Sequence, residues 1–314
     1  MKIDIKNVSV IGAGILGHSI ALTFAMAGYT VTLSDISESK LNDAKKNIEK
    51  SICLLKEYGA YNGSNQTHEN IKFIIGLNEI VYKSDLVIEA VPEDLKLKKM
   101  IFKLLDLNCS PHTILSSNSS SLNPDEYGEE IVSKERLIGM HFFNPPYLLP
   151  LVEVIKGTKT NKQIAEIIKK ILIDIGMKPV LVSKPSRGFI GNRLQFALLN
   201  EAIKIVEEGI ATPEEVDIVV KFGFGRRLSV LGLFEVFDFG GWDTIAKVQP
   251  NITGNKVSSI IKEKVEKGYL GVKTGKGFYD WDENKLHDVK SLIIRTLINI
   301  QKTTTEKHFN QTVR

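Results

Sequence analysis

The sequence predicts an α/β domain built on a mainly parallel sheet, followed by an all-α domain. Three observations predict it. Short β-branched runs alternate with helical spacing through the first 182 residues. A Gly-X-Gly-X-X-Gly turn separates the first such run from the first helix. After Lys184 the short runs stop and long helical periodicities take over.

The first run, Val8 to Ile11, leads into Gly12-Ala13-Gly14-Ile15-Leu16-Gly17. Ile20, Phe24 and Ala27 then recur at helical spacing until Gly28, and Thr30 to Ser34 forms a second strand ending at Asp35. Strand, glycine turn, helix, strand and acid, in that order, make a dinucleotide-binding βαβ unit, so the domain is expected to be Rossmann-type. Gly12 permits the tight turn, Gly14 lets backbone N–H groups approach a pyrophosphate, and Gly17 lets helix and strand pack closely. The helix N-terminus adds partial positive charge. Asp35 is placed to accept from the adenosine ribose hydroxyls. No Arg or Lys follows it immediately to take a 2′-phosphate, so the expected cofactor is NAD rather than NADP. His18 reads as a helix-surface or packing residue.

Further strands are expected at residues 84–91, 113–116, 137–140, 151–155 and 178–182, with polar residues gathered past their ends, where open α/β sheets bind ligands. From Phe189 to Glu208 the pattern is one long helix closed by Gly209. Thr212-Pro213-Glu214-Glu215 opens another with cap, proline and glutamate in the favoured places. A third stretch runs from Lys256 to Lys267, then a glycine-rich loop from Gly271 to Tyr279, then an apolar helical tail from Leu286 to Gln301. The expected domains are residues 1–184 for NAD and residues 185–314 for substrate and dimerisation.

Bulk properties narrow the function classes. A net charge of +4 spread along the chain argues against a nucleic-acid footprint. Lys45-Lys46 and Lys98-Lys99 read as solvated helix faces. Cys53 and Cys109 lack metal-ligand spacing and read as small buried apolar residues in a reducing compartment, with no metal expected. No apolar run approaches the ~20 residues that span a bilayer. The first strand begins too early to leave room for a targeting segment, so a cytoplasmic location is expected.

Two residues stand out for chemistry. His141 follows a buried strand at the ligand-binding edge, and Glu153 interrupts the apolar run from Leu148 to Ile155. A pair between them would satisfy the acid and orient and activate the imidazole. The same residues also fit a core histidine and a strand-edge glutamate facing solvent. The cluster Ser117-Asn118-Ser119-Ser120-Ser121 reads as a capped loop, since nothing resembles a nucleophile elbow with an ordered triad.

His141-Phe142-Phe143-Asn144-Pro145-Pro146 with Leu151-Val152-Glu153-Val154-Ile155 resembles the signature stretch of 3-hydroxyacyl-CoA dehydrogenases. So do Gly188-Phe189-Ile190-Gly191-Asn192-Arg193-Leu194, the loop Ser117 to Leu122, and the loop Lys273 to Tyr279. The resemblance runs from the first strand to about Trp281. It implies His141 as general base, Glu153 as its orienting partner, and Ser120 and Asn192 as hydrogen-bonding groups for the reacting oxygen. It also implies Glu93, Lys98, Asn144 and Lys273 around the nicotinamide half of the cofactor, a small-molecule substrate, and a homodimer paired through the helical domain.

Two departures leave the substrate open. Other members carry lysines in the early helix–loop region that help hold CoA; Glu57-Tyr58-Gly59-Ala60-Tyr61 has none, and Lys50 and Lys56 are the nearby substitutes. Gly223-Phe224-Gly225-Arg226-Arg227-Leu228 is more similar to the λ-crystallin (L-gulonate 3-dehydrogenase) branch, where Arg227 could clamp a free carboxylate; Arg226 and Arg227 equally fit surface or interface residues. Short-chain L-3-hydroxyacyl-CoA oxidation leads, a free 3-hydroxy acid is the alternative, and an NAD-binding structural protein is the non-enzymatic one.

Overall fold

The computed structural model describes residues 5–77, 83–184 and 186–305. Pro185, at the expected domain boundary, lies outside them. By its internal contacts the chain divides into two compact units, residues 1–198 and 199–314.

The first unit carries one sheet of eight strands: β1 (Asn7–Ile11), β2 (Thr30–Asp35), β3 (Ile71–Ile75), β4 (Leu86–Glu89), β5 (Ile114–Ser117), β6 (Leu137–Phe142), β7 (Leu151–Lys156) and β8 (Lys178–Val182). Their spatial order is β3-β2-β1-β4-β5-β6-β7-β8. β6 and β7 pair antiparallel, and every other adjacent pair is parallel. The order reverses between β1 and β4, which opens a crevice at their carboxyl ends.

Among the described residues five helices flank the sheet: α1 (Ile15–Met26), α2 (Glu38–Glu57), α3 (Leu95–Asn108), α4 (Pro124–Tyr127) and α5 (Lys162–Asp174). Strand side chains alternate between faces. Val8, Val10, Leu86, Ile88, Ile114 and Ile138 pack with residues of α1, α2 and α5. Ile11, Val87, Leu115 and Leu137 pack with Ile101, Phe102 and Leu105 of α3 and with Tyr127. Parallel strands covered on both faces read as near-continuous apolar runs, as Leu86-Val87-Ile88 of β4 does.

Four expectations change. β3 is an additional strand that the sequence pattern does not announce. His141 lies inside β6, which extends to Phe142, rather than after the strand. Lys98 is not on a solvated face: it belongs to the buried stripe Lys98, Ile101, Phe102 and Leu105 of α3. Cys53 is exposed, because α2 buries Leu41, Ala44, Ile48, Ile52 and Leu55 and turns Cys53 away from them. Cys109 is buried, and burial pushes its thiol up to about 11, with Arg136 opposing and Asp106 adding to the rise.

Helix α6 (Gly191–Glu207) straddles the division, and the second unit adds α7 (Pro213–Phe222), α8 (Phe224–Leu228), α9 (Leu233–Gly240), α10 (Trp242–Thr253), α11 (Ser259–Glu266) and α12 (Glu283–Thr305). The capping box expected at Thr212 forms with Glu215. This unit is organised around Asp238, whose side chain is fully buried. Its Oδ1 accepts from the Trp242 indole and the Phe278 N–H, and its Oδ2 from the Trp281 indole and the Tyr279 N–H. The glycine-rich loop therefore wraps onto a carboxylate, and a Cβ at Gly277 would lie 2.2 Å from Asp238 Oδ1. Among the described residues no helix is long and apolar enough to cross a membrane.

Candidate active site

The glycine turn is shaped by close approaches. Gly12 has φ 100, and a Cβ there would meet the Ala90 carbonyl oxygen at 2.7 Å. A Cβ at Gly17 would lie 1.7 Å from the Gly12 carbonyl oxygen, so helix and turn touch only because Gly17 has no side chain. Gly14 faces open space, with nothing within 4 Å of a Cβ built on it, and it begins α1 without a side-chain cap. Free N–H groups at an open helix start suit a pyrophosphate.

Asp35, the last residue of β2, is buried. Its Oδ2 accepts from the Ala13 N–H (2.9 Å) and its Oδ1 from the Ser37 N–H (3.0 Å). A carboxylate offers about four acceptor positions, which leaves capacity for ribose hydroxyls. The next residue is an exposed Ile36, with no cation to receive a phosphate. These residues fit NAD. His18 is buried, its Nδ1 2.8 Å from the Gly14 carbonyl, and so is a packing residue.

Across the crevice, at the ends of β4, β5 and β6, lies a second polar group. Glu89, fully buried at the end of β4, was not singled out from the sequence, although an acid closing an apolar strand is the same signal that marks Glu153. Its carboxylate accepts from Lys98 Nζ (2.8 and 3.0 Å), Ser117 Oγ (2.6 Å) and the Val91 N–H (2.7 Å). Lys98 also lies 3.4 Å from Glu93 Oε2. Glu93 Oε1 accepts from the hydroxyls of Ser119 and Ser121 and from the Ser121 N–H, which ties the serine loop to the end of β4. Burial pushes the Glu93 carboxyl up, but the bonds from Ser119 and Ser121 and the Lys98 charge outweigh it, and the net direction is below the ordinary carboxylate value.

His141 and Glu153 face one another across the antiparallel β6–β7 pair. Both are buried, with His141 Nδ1 2.8 Å from Glu153 Oε2. Glu153 Oε1 accepts from the N–H groups of Ile190 (2.8 Å) and Gly191 (2.9 Å), so the same carboxylate anchors the start of α6. Burial pushes its carboxyl up, but the bonds from His141, Gly191 and Ile190 prevail and hold it below the usual range. An ionised Glu153 assigns the proton to Nδ1 and leaves the lone pair on Nε2, which makes no hydrogen bond among the described residues. Phe143 and Phe189 pack against the imidazole at ring-centroid distances of 5.0 and 5.7 Å.

Asn192, at the start of α6, donates from Nδ2 to the Ser120 carbonyl oxygen at 3.2 Å, so Ser120 and Asn192 are neighbours. Asn118 joins this loop to the histidine strand, its Oδ1 accepting from the Phe142 N–H. Asn144 is exposed. Lys273, in the helical unit, is engaged by Asp243 (2.9 Å) and Thr244 (3.2 Å). Arg227, at the end of α8, is exposed. Arg226 bonds the Lys221 carbonyl and stacks over Phe222, which makes it a local packing residue.

Residues 7–185 match the family model described as 3-hydroxyacyl-CoA dehydrogenase, NAD binding domain, and residues 188–281 match the C-terminal domain of the same family. The chain belongs to the 3-hydroxyacyl-CoA dehydrogenase family. It is 35% identical over 292 residues to a probable 3-hydroxybutyryl-CoA dehydrogenase of Bacillus subtilis, covering 89% of this chain and 99% of that one. The Lambda-crystallin homolog of Homo sapiens is 37% identical over 231 residues, 73% of this chain and 72% of that one. A solved 5-formyl-3-hydroxy-2-methylpyridine 4-carboxylic acid 5-dehydrogenase, described as an NAD+ dependent dismutase, superposes with a TM-score of 0.76 at 29% identity, covering 94% of this chain and 99% of that one. As a member of this family the protein is an NAD-dependent oxidoreductase, and its first domain binds NAD.

Proposed function

We propose that the protein oxidises the 3-hydroxyl of a short-chain L-3-hydroxyacyl-CoA, such as 3-hydroxybutyryl-CoA, to the 3-ketoacyl-CoA, a reaction of the kind fatty-acid β-oxidation uses. The observation that carries this is the buried His141–Glu153 pair with Nε2 uncommitted, beside Ser120 and Asn192. Bound NAD supplies the hydride acceptor. His141 Nε2 takes the hydroxyl proton, and Glu153 holds the ring and stabilises the imidazolium. Ser120 and Asn192 orient the reacting oxygen and, in the reverse direction, polarise the carbonyl. Gly12, Gly14, Gly17 and Asp35 hold the adenosine and pyrophosphate half of the cofactor, with Glu93, Lys98, Asn144 and Lys273 assigned to the nicotinamide half.

In this reading residues 1–184 serve NAD and residues 185–314 serve substrate and pairing, in a cytoplasmic homodimer. The pairing rests on α6, which buries none of its residues and exposes Leu194, Leu198, Leu199 and Ile203 along its length. Contiguous apolar surface of this kind marks an interface. Light scattering is expected to give the mass of a dimer; a monomer at micromolar concentration would remove this part.

A second reading, oxidation of a free 3-hydroxy acid, is favoured by two observations. Lys56, one of the two lysines near the early loop, lies over the Tyr61 ring, and the loop itself supplies none. Arg227 is exposed and makes no side-chain hydrogen bond or ion pair among the described residues. The two readings separate in one assay: NADH oxidation with acetoacetyl-CoA beside NAD reduction with L-3-hydroxybutyrate and L-gulonate. Thioester turnover alone is expected. Turnover of a free acid alone would transfer the assignment to the second reading, in which Arg227→Leu should raise KM for that acid.

A further inference from the structure

The crevice has two sides with different chemistry. Asp35, at the end of β2, takes the adenosine ribose, so a dinucleotide crossing the reversal between β1 and β4 lays its other half over the ends of β4, β5 and β6. At the ends of β4 and β5 the structure places two carboxylates and one ammonium, Glu89, Glu93 and Lys98, while the Glu153 carboxylate lies further along the sheet, on β7 and bonded to His141. Glu89 and Lys98 are both fully buried and joined by two contacts, at 2.8 and 3.0 Å, so they neutralise one another inside the protein. Glu93 is different. Its side chain is 38% exposed, Oε1 is saturated by the serine loop, and among the described residues Oε2 has only the longer contact to Lys98. These three side chains therefore carry one negative charge in excess, and it lies on the one carboxylate among them that is partly exposed.

We propose that Glu93, left unbalanced by the Glu89–Lys98 pair, discriminates between the two redox states of the cofactor, favouring the oxidised form, whose nicotinamide ring is cationic, over the neutral reduced form. Lys98 acts from the interior as the counter-charge of Glu89, and Glu89 is a positioning residue that keeps the ammonium from neutralising Glu93. The inference rests on the reading that the nicotinamide half lies over β4–β6. The direction of the Glu93 carboxyl, below its ordinary value, keeps it ionised at neutral pH.

The test is binding, not turnover. NADH is titrated by its own fluorescence, and NAD+ by competition against it, for the parent chain, Glu93→Gln and Glu89→Gln. Glu93→Gln should weaken NAD+ about tenfold more than NADH, the scale of one charge–charge contact at about 10 Å and an effective dielectric of about 20. Glu89→Gln frees Lys98 to neutralise Glu93 and should move the same ratio in the same direction. Because Glu93 is partly exposed, its variant keeps the test open if Glu89→Gln fails to fold. If Glu93→Gln weakens both forms equally, the nicotinamide placement stands and the discrimination is overturned. If it changes neither, placement and proposal fall together.

Discussion

Replacing His141 with alanine should lower kcat by about 10²–10⁴-fold, the range over which a positioned general base acts, while leaving NADH binding within a few-fold of the parent. The geometry separates the two properties. His141 sits within β6 and is held by Glu153 on β7, whereas the glycine turn and Asp35 sit at the ends of β1 and β2. Alanine would also leave space among Phe143 and Phe189, so His141→Gln is the companion variant: it keeps volume and a polar contact to Glu153 but has no basic nitrogen. Both should lose turnover alike, with NADH affinity read by fluorescence. A glutamine variant that keeps near-parental kcat would show that His141 is not the base. A parent chain that binds NADH yet turns over none of the tested substrates would move the substrate outside both proposed classes.

What could be read in advance follows a physical pattern. The βαβ unit was legible because it is local: strand, glycines, helix and Asp35 lie within a few tens of residues and each has a residue-level requirement. Glu153 was legible because an acid in an apolar strand needs a partner, and the antiparallel register supplies His141. Glu89 at the end of Leu86-Val87-Ile88 and Lys98 in the apolar stripe of α3 carry the same signal, a charge in an apolar pattern that needs a partner. β3 is harder to read although Ile71, Phe73, Ile74 and Ile75 carry strand composition: as an edge strand it leaves Lys72 and Ile75 exposed, which blurs the apolar pattern. Composition does not orient Cys53; the helical spacing of its buried neighbours on α2 does, and it turns the thiol outward. Asp238 was out of reach. Three of its four donors, the Phe278 and Tyr279 N–H groups and the Trp281 indole, lie about forty residues on, and no local pattern announces such a closure.

That closure makes Asp238→Asn the substitution expected to cost the most stability. The carboxylate is a pure acceptor meeting four N–H donors, and nothing about its site requires a donor. Asparagine keeps the shape but turns one oxygen into an NH₂ group, which would face one indole and one backbone N–H. Each buried donor left unpaired costs about 1–3 kcal/mol, and the remaining bonds lose the strengthening of a charged acceptor, so the total should reach about 3–5 kcal/mol. Trp281→Phe, which removes one donor and leaves the carboxylate three, should cost less from the lost bond alone. The pH dependence carries the sign. Burial pushes the Asp238 carboxyl up, but the bonds from Trp242, Trp281, Phe278 and Tyr279 outweigh it and hold the folded-state value below the ordinary one. Its contribution is therefore fully present above the ordinary carboxylate range, about pH 4, and is lost as pH falls through the lower folded value. Thermal unfolding between pH 7 and pH 3 should show the parent losing part of its margin over Asp238→Asn at the acid end. A margin that stays constant to pH 3, or an asparagine variant as stable as the parent at pH 7, would mean that the glycine loop is held by its other contacts and that the carboxylate is not the keystone of the helical unit.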